Sequence, residues 1–216
     1  MAKTTYHIYR LGQLFPPNDE YAATVARLCI LWEDFITAAS GGASASIPDM
    51  DGNSPQWRRF YFLRNSIGTL HEIRKAVHHL QTQQEFKDAL SRQPQADRIS
   101  FQESCGKLVE REDLIKDLRD KIAGGHVLQY AVREGLNKMD SEMHGMIKTG
   151  RHYGDIRFRF AHGLALETMF PGHTDKNADT EIESLLVPIG DATHHALRII
   201  EFVFSIYTKE RRVSPL

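Results

Sequence analysis

Through most of this chain apolar residues recur every three to four positions, the period of an α-helix that buries one face. In DEYAATVARLCILWEDFITAAS, Tyr21, Val25, Leu28, Trp32 and Phe35 form such a stripe, and Asn18 or Asp19 stands where a helix N-cap belongs. Residues 41–54 hold Gly, Ser, Pro, Asp and Asn without an aromatic and predict a flexible loop, while residues 1–17 read as an N-terminal arm. Ser54-Pro55 is a helix start, and Phe60, Leu63, Ile67, Leu70, Val77 and Leu80 carry its stripe to residue 80. A polar stretch with Pro94 follows, after which Leu108, Ile115, Leu118 and Ile122 predict a third helix over 100–122. HVLQYAVREGLNKM reads as a fourth helix, and GMIKTGRHYGD then breaks the pattern with three glycines. Residues 156–170 have a helical pattern, yet IRFRF alternates as a short strand does. From 179 to 208 the helical stripe runs through Ile182, Leu185, Leu186, Ile189, Ala192, Ala196, Ile199, Val203 and Ile206, with Pro188 as a kink or a true start. The expected architecture is one all-α domain over 1–216, a helical bundle of five to six helices.

Composition narrows the function classes. Lys plus Arg at 27 against Asp plus Glu at 28 gives a formal charge of −1, so no global basic field marks a nucleic-acid or membrane binder, and such contacts must be local. No run of eighteen apolar residues exists for a membrane span, and the first seventeen residues lack a signal-peptide core, which together predict a cytoplasmic protein. Cys29 and Cys105 make no disulfide framework and lack metal-ligand spacing.

Histidine is conspicuous, with eleven copies. A bundle-type di-metal site asks for Glu-x-x-His motifs on two helices, and only Asp191-Ala-Thr-His194 comes near that pattern, so no metal is expected. In the adjacent pairs His78-His79 and His194-His195, one ring should lean to the core margin and the other away. No Gly-rich phosphate loop and no nucleophile elbow is present, and no cofactor is expected.

Arginine followed by histidine is the remaining pattern. Counting histidines five to seven positions after an arginine gives Arg64 to His71, Arg74 to His79, Arg119 to His126 and Arg157 to His162. A polar residue directly follows the arginine in two of these, Arg64-Asn65 and Arg119-Asp120. On an unbroken helix seven residues turn through about 700° and rise about 10.5 Å, so Arg64 and His71 share one face. In LRDKIAGGHV the glycines Gly124 and Gly125 precede His126. Either can end the third helix at positive φ, turn His126 back toward Arg119, and leave backbone N–H groups open to an anion.

Arg119, Asp120 and His126 resemble the Arg-x4-6-His signature of the HEPN family, helical domains found in prokaryotic toxin, phage-defence and RNA-processing proteins. The resemblance covers this motif and a helix on each side, in a chain whose all-α reading is compatible with the family. It implies a metal-independent endoribonuclease or an inactive RNA-binding relative in a toxin or defence setting, with a homodimer and a cognate antitoxin protein as partners. Arg119, Asp120 and His126 would be catalytic, with Gly124 and Gly125 binding, and Arg64, Asn65 and His71 are the second choice. The alternative is a non-enzymatic helical interaction or small-ligand-binding protein, with histidines and arginines lining an inter-helical pocket. The two differ in charge: a nuclease gathers basic residues around Arg119, whereas a structural protein leaves Arg119 neutralised by carboxylates.

Overall fold

The computed structural model describes residues 9–44, 55–122 and 178–212, and between the last two only 133, 136–137, 147–148 and 157–158. The fold class is all-α, as the periodicity predicts. Seven helices lie among the described residues: α1 (Leu11–Leu14), α2 (Glu20–Ser44), α3 (Pro55–Thr82), α4 (Gln84–Ser91), α5 (Gln95–Glu110), α6 (Glu112–Ile122) and α7 (Ala178–Arg211). Two two-residue strands accompany them, β1 (Ile147–Lys148) and β2 (Arg157–Phe158), paired antiparallel with Ile147 opposite Phe158.

Several boundaries correct the sequence reading. Among the described residues seven helices stand beside the five to six expected; α1 and α4 are short, and α4 buries only Phe86 and Ala89, too few apolar positions to stand out in a polar stretch. The expected third helix is two, α5 and α6, broken at Arg111, whose φ of −99° and ψ of 5° lie in the bridge region. No glycine or proline announces that break. The first residues of the expected 41–54 loop are helical, since α2 continues through Gly41 to Ser44, and residues 45–54 lie outside the described residues. A Cβ on Gly41 would overlap the Phe62 ring, so this glycine permits close approach rather than ending a helix. Arg157 and Phe158 are strand, so the alternation of IRFRF outweighs the helical pattern there. Pro188 lies inside α7 rather than at its start.

Asp19, not Asn18, caps α2, its Oδ1 accepting the Ala22 N–H at 2.8 Å. Asn18 takes the left-handed conformation at φ 63°, which asparagine tolerates better than most residues. Of the expected fourth helix, Arg133, Leu136 and Asn137 are described and are helical.

The chain divides into two compact units: unit 1 is 1–36, 70–111 and 192–216, and unit 2 is 37–69 and 112–191. In unit 1 the stripes of α2, α3, α5 and α7 meet, and Leu28, Leu70, Leu80, Ile199 and Val203 are fully buried. An aromatic chain runs through it, Phe15 stacking on Tyr207, Tyr207 edge-on to Tyr21, and Tyr21 followed by Phe86, Phe101 and Phe202. In unit 2 Ala38, Leu63, Ile67, Ile115, Leu118 and Ile189 are buried. Leu186, placed in the expected stripe of the last helix, is half exposed.

Candidate functional site

The last turn of α6 presents Arg119 and Asp120 directly after Leu118, whose burial fixes the helix face. Adjacent side chains on a helix point about 100° apart and do not normally meet. Here Arg119 curls back so that Nε donates to Asp120 Oδ1 at 2.7 Å, and Nη2 donates to the same oxygen. The side chains are 39% and 27% exposed, so the pair is held yet reached by solvent. A guanidinium has five donors, and the Asp120 oxygen takes two of them. The contact also lowers the net charge offered to an anion, and it comes from the motif's own polar residue.

Gly124, Gly125 and His126 lie outside the described residues, as do the expected positive φ and the approach of His126 to Arg119.

The second copy is distributed differently. Arg64 and Asn65 belong to unit 2 and His71 to unit 1, all on α3. Asn65 Nδ2 donates to the Tyr61 carbonyl one turn back at 3.0 Å, so its amide serves its own helix. Burial lowers the pKa of Arg64, partly offset by Tyr61. His71 is only 5% exposed, a position a solvent-borne phosphate does not reach.

The paired histidines divide. His194 is exposed and His195 half-buried, as expected, whereas His78 and His79 are both exposed. His79 Nε2 lies 3.2 Å from Glu20 Oε1. Among the described residues no group of three or more His, Cys, Asp or Glu side chains is placed to hold a metal ion. Burial pushes the Cys105 thiol up to about 12, and burial with the nearby Glu33 carboxylate pushes Cys29 up to about 11, so neither has the thiolate character of a nucleophile.

Sequence reasoning missed a charged cluster at one end of unit 1. Arg211 pairs with Asp19 and Glu85, Arg92 pairs with Glu210 at 2.6 Å, and Tyr207 donates its hydroxyl to the Leu14 carbonyl. These partners are more than a hundred residues apart, and no local spacing reveals them. None of the described helices is long and apolar enough to cross a membrane. No family model, curated protein or solved structure matches the chain.

Proposed function

We propose that the chain is a metal-independent endoribonuclease of the HEPN type, with Arg119, Asp120 and His126 as its site. The observation that supports this reading is the solvent-reached Arg119 guanidinium in the last turn of α6, seven residues before His126; its pairing with the Asp120 carboxylate is the arrangement that the non-enzymatic alternative expects. Arg119 binds the scissile phosphate and the charge that gathers on it, and Asp120 fixes the plane of its guanidinium. His126 moves the proton, the role for which histidine is the commonest side chain. The ribose 2′-oxygen attacks phosphorus, its proton passes to a base, and the 5′-oxygen leaves and is protonated. The products are a 2′,3′-cyclic phosphate and a 5′-hydroxyl, and no redox partner is needed. Following the family pattern, the active species is a homodimer, and a cognate antitoxin protein restrains it in a toxin or defence setting. A protein that retains RNA affinity without cutting is the inactive form of the same reading.

The test is cleavage of mixed RNAs by the purified chain in excess chelator. General acid–base catalysis contributes about 10²- to 10⁴-fold, so His126→Ala should reduce the rate by at least that factor without altering the melting curve. Arg119→Ala should do the same through lost transition-state binding. RNA that stays intact and unbound with the wild-type chain overturns the proposal.

A further inference from the structure

Two eight-residue segments of unit 1 share a pattern, DRISFQES on α5 (97–104) and RIIEFVFS on α7 (198–205). Each has a charge first, a polar residue fourth, Phe fifth and Ser last, which is one helix face at i, i+3, i+4 and i+7. The two faces line a groove of about 310 Å³, at the small end of the roughly 300–1,000 Å³ of small-molecule sites.

The segments run in opposite directions. Arg198 Nη2 donates to Ser100 Oγ at 2.8 Å, and one turn further along α5 Ser104 Oγ lies 3.4 Å from His195 Nδ1, three residues back along α7. Asp97 and Glu201 therefore share the opposite end of the groove. The groove thus carries polar groups along its length, carboxylates at one end, a guanidinium with a serine hydroxyl in the middle, and the buried Ser104 at the other. Arg198 and Glu201 are spaced i, i+3, where oppositely charged side chains ordinarily pair. Among the described residues they form no salt bridge with each other, Arg198 meeting Ser100 instead, and Asp97 has no cation partner there. The Phe101 and Phe202 rings, with centroids 5.3 Å apart, supply the apolar floor.

We propose that this groove binds a small zwitterion, a free amino acid with an apolar side chain. Its carboxylate meets Arg198 and Ser100, its ammonium lies toward Asp97 and Glu201, and its side chain rests on the two rings. Nothing in this depends on RNA chemistry, since every residue belongs to unit 1 whereas Arg119 and Asp120 belong to unit 2.

Calorimetric titration of the full chain with L-leucine, L-leucinamide and N-acetyl-L-leucine tests it. L-leucine should bind with one site per chain, and blocking either charged group should weaken binding about tenfold or more. Arg198→Ala should weaken L-leucine equally and abolish the preference for L-leucine over its amide, and Glu201→Gln should abolish the preference over the N-acetyl form. Both side chains are exposed, so the melting curve should stay that of the wild type. No heat from L-leucine at millimolar concentration overturns the proposal, as does a preference for the free carboxylate that survives Arg198→Ala.

Discussion

Beside local ties such as Lys107 to Glu110, unit 1 holds several that reach far along the sequence: Tyr207 to the Leu14 carbonyl, Arg211 to Asp19 and Glu85, Arg92 to Glu210. Among the described residues of unit 2, three ties stay within about a turn: Ser66 to the Phe62 carbonyl, Asn65 to the Tyr61 carbonyl and Arg119 to Asp120. The contrast separates two uses of a polar group. A distant tie inside an aromatic core fixes where two segments lie and costs desolvation, visible in the Tyr207 hydroxyl, whose pKa burial raises above the usual phenol value. A tie to the next residue sets the direction of one side chain while leaving it in reach of solvent. Scaffold is the natural role of the first arrangement, and a ligand-facing cation fits the second.

The largest effect that can break this contrast lies in unit 1. Ile199 and Val203 are fully buried, so aspartate at either should cost more than about 4 kcal/mol through an unpaired buried charge. Denaturant unfolding followed by circular dichroism should show the cooperative transition lost, and a wild-type transition would misplace the core. Thiol chemistry comes next. The Cys105 pKa of about 12 against an ordinary 9 means about a thousandfold less thiolate at neutral pH, so a thiol reagent should label it far more slowly than the denatured chain. The raised value also fixes a sign: between pH 9 and about 12 the folded chain keeps a proton that the unfolded chain releases, so stability falls as pH rises there. Rapid labelling of Cys105 in the folded chain would show unit 1 to be open.

Smaller substitutions sharpen the comparison. Gly41→Ala drives a methyl group into the Phe62 ring and should destabilise by about 1–3 kcal/mol in a thermal melt, unless the ring swings aside at no cost. Tyr207→Phe leaves the Leu14 carbonyl without its hydroxyl donor and should cost about 1–2 kcal/mol. Asp120→Asn, by contrast, should change stability by no more than about 0.5 kcal/mol, because the tie is local and solvent-screened. Its effect should appear in RNA cleavage, which falls if Asp120 orients Arg119 and rises if the carboxylate merely neutralises it. Stability losses of equal size for Tyr207→Phe and Asp120→Asn would erase the distinction between the units.

Much of the fold is legible from apolar spacing. Tyr21, Val25, Leu28 and Phe35, and Leu63, Ile67, Leu70, Val77 and Leu80, are all buried as their stripes require. Two of the misses share a cause, for at Gly41 and in α4 a neighbour distant in sequence accompanies the local outcome. Gly41-Gly42 spell a loop locally, yet the fit of Phe62 against Gly41 suits a continuing helix. The break at Arg111 interrupts a stripe whose spacing reads straight through it. α4 needs only two buried positions because Phe86 packs on Tyr21 and Phe101. At the candidate site, the adjacency of Arg119 and Asp120 was readable as a motif, but their side-chain contact is not one that helix geometry alone would favour.

The most direct measurement compares an RNA strand with a strand of the same sequence whose 2′-hydroxyls are replaced by hydrogen, each incubated with the chain in chelator and analysed for end groups. A 2′-oxygen nucleophile assisted by His126 and Arg119 should cut only the RNA and leave 2′,3′-cyclic phosphate and 5′-hydroxyl ends. Equal cleavage of both strands, or RNA products ending in 5′-phosphate, would contradict it.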